Sequence, residues 1–587
     1  MSKVIRNRRI RRLAVALWVA VAATVLASGV ASAAPKAFDT LLPADTSLFV
    51  SLADYPKTAE KFRSSPYHEM VNEPEITAFV DQIVGLIADE AAELKEAYEQ
   101  VGITPSDIQE LLAGEVCLAL GELDIANKSL EVLLAVDVSG RRQKAQEMLD
   151  KLLDAFEADM EATAVARTEE SFQGKTIVRL SAQDQGDDEA VFYMLDDEVL
   201  AAAAGGRTML EKFIASQTGS SVPSLAKAAD YQRAKGRLGQ NEDMTFYANI
   251  AGLLAQIPST PAAQPGMPSM PGPKQWLDAL GLMDVRSAAM TYTMVDNGSR
   301  SQGLVLVPAP RRGILKAFEP SSVDLDPPAF VAGDASMYSG VYFSASTLWR
   351  EVMTALQTLS PQMHQMVQMQ LASAQMGVNL ENDVIFALGE RWYVYQPAEA
   401  VTANPPVMMN RAFAVELAKP AAFKGAMQTM VAQLSQTPWG ASMSTLEYEG
   451  ATLYQFPPIS PNPEMPGMEP TLALSEDMLI FAFNSALAKS IVSDSQRSSS
   501  PLLNNEDYRR ASAEVLPAPH MVGFADARGS AKAQWDQMKT ALSMQFGLAL
   551  PGWEVLKKYQ TISLTTAKWT EDGLLMKAWQ PFPDTTR

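Results

Sequence analysis

Apolar positions along this chain follow two different periods. Short apolar runs, continuous or alternating, predict strands at 45–52, 116–121, 130–138, 190–195, 199–204 and 245–249, with a closing hairpin over 288–307. Between them the spacing becomes helical. Phe79, Ile83, Val84, Leu86, Ile87, Ala91, Leu94 and Tyr98 share one face, as do Ala145, Met148, Leu149, Leu152, Leu153, Phe156 and Met160. The same succession then returns. Strands are predicted at 334–341, 391–395, 411–417, 471–474, 478–483 and 522–526, with a closing hairpin over 561–580, and Phe423, Met427, Met430, Val431 and Leu434 form the second helical stripe.

Landmarks recur along with the periods. Residues 101–115 match 376–390 without a gap, ending in Gly114-Glu115 and Gly389-Glu390 and setting Trp392 opposite Cys117. Phe172, Gly174 and Thr176 recur as Tyr448, Gly450 and Thr452, an aromatic and a turn glycine that predict a hairpin. Ser220, Ser221, Pro223, Asp230 and Tyr231 recur as Ser498, Ser499, Pro501, Asp507 and Tyr508. The pattern predicts an α+β fold of two tandem diverged copies, 34–320 and 321–587, each a mostly antiparallel sheet packed with helices. Two segments break the match. They are a Pro/Met-rich loop at 258–274 and a Pro-rich loop at 457–470, compositions that neither pack nor pair.

The N-terminus carries a different signal. Arg6, Arg8, Arg9, Arg11 and Arg12 precede an apolar run at 13–30, and Ala31-Ser32-Ala33 supplies a small-residue cleavage site. This predicts a Sec-type signal peptide over 1–33, cleaved near Ala33, and a periplasmic or secreted protein with no later membrane span. A retained anchor is the alternative, because a run of about 18 apolar residues can just cross a bilayer. Losing the leader removes six cations and no acids, deepening the net charge from −20 to −26. Such a surface repels nucleic acid, so no nucleic-acid partner is expected. Cys117 is the only cysteine, so no intramolecular disulfide framework exists.

Candidate chemistry is sparse. Gly174-Lys175-Thr176 ends like a phosphate-binding loop, but position 169 is Glu where that loop needs Gly, and the second copy reads Gly450-Ala451-Thr452. Glu115 and Glu390 could form a paired carboxylate site, or simply follow a helix-ending glycine. Cys117 lies in an apolar run and reads as a buried thiol. His68, His364 and His520 are the only histidines, none at zinc-ligand spacing, and no Gly-x-Ser-x-Gly elbow occurs. Among 30 methionines, Met363, Met366, Met369 and Met376 cluster with His364, and Met267, Met270, Met465 and Met468 punctuate the loops. Thioethers with imidazole suit Cu(I); helix-core filling is the plainer reading. Trp349, Trp392, Trp439, Trp535 and Trp553 favour the second copy and fit either a ligand cleft or the core. These residues nominate no catalytic, cofactor-binding or metal site.

Residues 42–50, Leu-Pro-Ala-Asp-Thr-Ser-Leu-Phe-Val, follow the leader. With residues 62–67 and 73–76, Gly114-Glu115 and Asp230-Tyr231, this opening resembles a family of exported bacterial proteins catalogued only as a domain of unknown function. The second copy departs from it with Ala332-Gly333-Asp334-Ala335. The resemblance implies an exported α+β protein and transfers no catalytic residue. The expected function is therefore a non-enzymatic cell-envelope binding or interaction protein of unknown ligand. The alternatives are an envelope hydrolase with an unrecognised carboxylate site and a soft-metal or apolar-ligand carrier.

Overall fold

A computed structural model of the protein describes residues 37–80, 82, 107, 110–112, 114–124, 129–159, 165–182, 190–239, 242–258, 271–320, 325–374, 377–398, 410–438, 440–457 and 469–584. The leader, most of the helical stripe from Ile83 to Tyr98, Met376, Trp439 and the centres of both proline-rich loops lie outside the described residues.

The chain forms two compact units that are not consecutive stretches. The first takes Met1–Ile257, Arg286–Leu306 and Phe546–Val555; the second takes Pro258–Val285, Val307–Gln545 and Leu556–Arg587. The expected boundary near 320–328 therefore differs in three places: 258–285 and 307–320 group with the second unit, and 546–555 with the first. The contacts give the reason. Glu75 accepts from the Gly552 amide at 2.6 Å, and Gln82 accepts from the Ala549 amide at 2.7 Å. Leu548 and Leu550 bury their side chains. In the second unit Arg312 clasps Asp284 at 2.7 Å, and the Ile314 amide donates to the Leu280 carbonyl at 3.0 Å.

The sheet of the first unit contains β1 (Leu48–Leu52), β2 (Val116–Asp124), β3 (Ser129–Asp137), β4 (Val165–Phe172), β5 (Lys175–Ala182), β6 (Val191–Leu195), β7 (Val199–Ala204), β8 (Met244–Ala248), β9 (Ser287–Val295) and β10 (Gly298–Leu306). Every neighbouring pair is antiparallel, in the order β4-β5-β6-β7-β3-β2-β1-β8-β9-β10. The second unit contains β11 (Met337–Tyr342), β12 (Leu388–Gln396), β13 (Ala412–Leu417), β14 (Ser444–Tyr448), β15 (Ala451–Gln455), β16 (Thr471–Leu474), β17 (Met478–Ala482), β18 (Met521–Asp526), β19 (Ile562–Trp569) and β20 (Gly573–Pro581). Its order is β14-β15-β16-β17-β13-β12-β11-β18-β19-β20, again antiparallel throughout. The α+β class with a large antiparallel sheet is thus observed, and the two connectivities are identical strand for strand.

Helices pack on the sheets, two of them on stripes the sequence predicts. In the first unit Ala145 and Met148 from the helix Arg142–Asp159, with Tyr55 and Ala59 from the helix Tyr55–Arg63, pack on Val116, Leu134 and Val136. In the second unit Leu487, Ala488, Ile491 and Val492 of the helix Ser485–Asp494 cover Ala414, Leu453, Ala473 and Ile480. On the opposite face Phe423 and Met427 of the helix Pro420–Leu434 cover Leu417, Tyr454 and Leu474.

Registers show where the sequence match slips. Val116 faces Val136, which faces Leu200; Trp392 faces Val415, which faces Leu479. Leu52 faces Val116, and Val341 faces Trp392. Trp392 thus corresponds to Val116, and Tyr393 to Cys117, which corrects the gapless match that set Trp392 opposite Cys117. The glycines still correspond: a β-carbon on Gly114 would strike Asp137, and one on Gly389 would strike Glu416, residues at equivalent registers. One residue, Glu115, separates Gly114 from Val116; two, Glu390 and Arg391, separate Gly389 from Trp392. The extra residue is absorbed where the register of β12 shifts between Leu388 and Trp392, as a β-bulge does.

The repeated hairpins agree closely. Gln173 and Gly174 have φ of 50° and 80°, Glu449 and Gly450 of 47° and 82°, the two left-handed residues of a type I′ turn. A β-carbon on Gly450 would meet nothing within 4 Å, so only the backbone demands glycine. Gly450→Ala should lower stability by about 1 kcal/mol, the cost of a left-handed L-residue, read as a shifted urea midpoint. An unshifted midpoint would contradict this account of the turn.

Candidate functional site

The densest buried polar group among the described residues gathers around Glu115 in the first unit. Glu115 stands at the entry to β2, directly after Gly114, and is 4% exposed. Its Oε2 accepts from the Phe38 amide at 3.0 Å and its Oε1 from the Ser51 hydroxyl of β1 at 2.5 Å. The next residue along the N-terminal segment, Asp39, is equally buried. Asp39 Oδ2 accepts from the Tyr231 hydroxyl at 2.9 Å and from Lys235 Nζ at 2.5 Å, while Oδ1 has no partner. Tyr231 and Lys235 lie one turn apart on the helix Ala229–Arg237, with the ammonium 5.6 Å from the ring centroid.

Phe38 and Leu42 drive this arrangement. Both are fully buried, Phe38 against the Phe213 ring at 6.1 Å, and they draw the short 3-10 turn Phe38–Thr40 beneath the helices. The turn brings an amide and a carboxylate with it, and each must find a partner out of water. Burial raises the Glu115 carboxyl above its ordinary range; hydrogen bonds from Ser51 and Phe38 oppose this, and the nearby Asp39 charge adds to it. The Cys117 thiol is pushed well up by burial and then by Glu115, so it is held as an inert thiol. Burial, and then Asp39, keep the Tyr231 phenol protonated.

A carboxyl with raised acidity range beside hydroxyls can act as a proton donor or acceptor. Here its contacts go to the chain's own N-terminal segment. Asp39, Ser51 and Lys235 were not singled out by sequence reasoning. The available signal was the acid inside the short apolar stretch from Phe38 to Leu42, just ahead of the opening strand.

The other candidates fall elsewhere. Glu390 is half-buried and accepts from the Tyr342 hydroxyl, and neighbouring Arg391 pairs with Glu416 at 3.1 Å. Since the bulge offsets Glu390 from Glu115, the two acids do not hold equivalent registers. Gly174-Lys175-Thr176 forms the hairpin turn, with Lys175 bonded to Asp196 at 2.7 Å. His68 lies on the short helix Pro66–Val71 in the first unit. His364 shares the helix Pro361–Ala374 with Met363, Met366 and Met369, the last two exposed. His520 is buried immediately before β18, and Trp392 donates from its indole to the Phe343 carbonyl at 2.9 Å. Trp349 lies half-buried on the helix Ala345–Leu359. No cluster of three His, Cys, Asp or Glu suited to a metal occurs among the described residues.

The raised Glu115 carboxyl fixes the sign of a pH effect. The folded state keeps this proton where the unfolded chain, near the ordinary value of 4.5, has released it. The stability it contributes is fully present below the unfolded value and is lost as pH rises through the folded one. Glu115→Gln keeps an acceptor for the Phe38 amide, and the Ser51 hydroxyl can turn to accept from the new amide group. Thermal melts across the acidic to mildly alkaline range should show the variant losing less stability than the parent as pH rises. Parallel pH profiles would refute the assignment.

No curated protein matches the chain. Two solved structures, crystal forms III and I of TP0453, align at 8% identity with TM-scores of 0.24 and 0.22. The first alignment covers 50% of this chain and 90% of that one, the second 47% and 80%. Residues 15–389 match the family described as "Protein of unknown function (DUF3352)", and the chain belongs to that family.

Proposed function

We propose that the protein is an exported, non-catalytic cell-envelope protein built from two diverged copies of one unit, which binds an apolar ligand at the Phe413 end of a sheet face that the helix Pro420–Leu434 covers only in part. One observation carries the reading. Phe413 of β13 is 43% exposed although the flanking Ala412 and Ala414 are buried. It faces Phe481 of β17 in register, ring centroids 6.5 Å apart, and Phe481 meets Phe483 at 5.0 Å. Val394, partly exposed at the matching register, extends the row along the same face, and Leu472 opposite Phe481 joins it to the cluster beneath Phe423 and Met427. Exposed aromatics grouped on one sheet face mark binding surfaces more often than isolated exposed side chains do. The group at Glu115 and Asp39, by contrast, is turned inward to hold the N-terminal segment.

The identical strand order of the two units, with their matching turns, supports descent from one unit. The basic and apolar leader supports export, and no helix among the described residues is long and apolar enough to cross a membrane. A hydrolase working through Glu115 is the competing reading, favoured by that residue's raised acidity range.

A neutral fluorescent probe, N-phenyl-1-naphthylamine, should bind the full-length mature protein saturably. Phe413→Ser combined with Phe481→Ser should weaken that binding about ten-fold or more, as expected when aromatic anchors are removed. Equal binding by the variant would sink the reading. Intact-mass analysis of protein recovered from cells should place the mature N-terminus at Ala34; a chain still carrying 1–33 would overturn the cleavage proposal.

A further inference from the structure

His520 immediately precedes β18 in the second unit and is 6% exposed. Its Nδ1 accepts from the backbone amide of Trp569 at 3.0 Å, so the neutral ring carries its proton on Nε2, which has no partner among the described residues. The His520 amide in turn donates to the Ala567 carbonyl at 2.8 Å, and the Tyr342 amide donates to the His520 carbonyl at 2.9 Å. Trp569 ends β19 and leads into the turn to β20, closed by the Thr570 amide donating to the Gly573 carbonyl at 2.8 Å. The far side of this turn holds the segment that follows β10. The Val307 and Ala309 amides donate to the carbonyls of Asp572 and Glu571, both at 2.9 Å. Arg311 donates to the Thr570 carbonyl, stacks its guanidinium 4.4 Å from the centroid of the Trp569 ring, and pairs with Glu319 at 2.5 Å.

We infer that His520 is an acid-sensitive latch, in which a proton added at Nδ1 removes the acceptor for the Trp569 amide and loosens both the 569–573 turn and the 307–311 segment docked on it. The argument is geometric. A ring nitrogen cannot accept from an N–H while it carries a proton of its own. The imidazolium would face a donor, leaving a buried amide unpaired and a buried charge without an acceptor. Lys568 on β19 opposes protonation, while Arg311 on the docked segment lies against the Trp569 ring and is committed to Glu319. Acids are present too, Glu571 and Asp572 in the turn and Glu390, which accepts from Tyr342 on β11. Burial and then Lys568 hold His520 below the ordinary histidine range. A depressed folded value gives stability present above the unfolded value and lost as pH falls through the folded one, so the latch opens on the acid side.

The test uses the full mature chain. Amide hydrogen exchange, corrected for intrinsic rates, is compared well above and well below the ordinary histidine range. Peptides spanning 568–573 and 307–311 should exchange about three- to ten-fold faster in acid, the change that loss of one net hydrogen bond produces. His520→Asn retains an acceptor but does not titrate, so it should abolish this acid-specific increase. An unchanged wild-type rate on acidification would overturn the latch, as would the same increase in His520→Asn. Should the asparagine variant be loosened at every pH, the wild type still decides. With only three histidines in the chain, the His520 ring can be followed by NMR. Its titration midpoint must coincide with that of the exchange increase, and separate midpoints would refute the proposal.

Discussion

The first strand of each unit is paired on both sides, and the rest of that unit is arranged around this demand. β1 takes 116–120 on one edge and 244–248 on the other; β11 takes 391–396 and 521–525. These partners are far away in sequence, and closing long loops costs entropy that rises only slowly with their length. Excursions of many residues are therefore tolerated, provided burial offsets the ordering. No disulfide assists, because Cys117 is the lone cysteine. What fastens the first unit is aromatic packing across the central pair. Phe49 of β1 meets the Tyr231 ring at 6.3 Å, and Tyr231 meets Tyr247 of β8 edge-on at 5.0 Å. In the second unit Tyr508 meets Phe524 of β18 at 5.4 Å. The repeated Asp-Tyr pair is thus a packing device that presses a helix onto the central strands.

That apolar demand generates the polar group. A tyrosine ring driven into the core takes its hydroxyl with it, and the hydroxyl needs a partner there. In the first unit the partner is Asp39, whose own burial then requires Lys235, and whose segment brings the Phe38 amide to Glu115. In the second unit the Tyr508 hydroxyl feels the charge of Asp326 and interacts with Ser512 on its own helix. The acids beside the tyrosines keep a cation in both units, but from different elements. Asp230 pairs with Arg286 at the start of β9, whereas Asp507 pairs with Arg510 and Arg528 on helices. Equivalent packing has been satisfied by unlike side chains, as expected when the constraint is electrostatic balance rather than reaction with a substrate.

Much of the fold was legible because it rests on local rules. Short apolar runs marked the strands, and Gly174 and Gly450 marked turns that only left-handed backbone can make. The helical stripe from Ala145 through Phe156 falls on one helix, Arg142–Asp159, with Ala145 and Met148 buried as that spacing predicts. What could not be read was set by distant partners. Nothing in residues 546–555 announces that Leu548 and Leu550 bury against the first unit, since two leucines carry no address. Asp39 looked like any acid near a turn, because its role depends on Tyr231 and Lys235, nearly two hundred residues away. His520 was passed over for lacking a neighbouring histidine, although its significance lies in accepting a backbone amide from another strand.

The slip between Gly389 and Trp392 decides whether the two glutamates play equivalent parts in their own units. Side chains along a strand alternate between faces, so one inserted residue would turn every later side chain over. Tyr393 and Tyr395 are nonetheless buried in the core of the second unit, at registers matching Cys117 and Ala119, which are buried in the first. The bulge confines the insertion to Glu390 and Arg391 and protects everything beyond it. Gly389 on one side and Trp392 on the other remain in place, while the acid between them changes environment. Glu115 is sealed against Ser51 and Phe38; Glu390 reaches Tyr342 beside an arginine paired to Glu416. Within its own unit, each acid after the repeated glycine thus has its own set of partners. The shared Gly-Glu is best understood as the mark of a chain entering a sheet beneath a crowded neighbour, with each unit free to use the acid as its own packing requires.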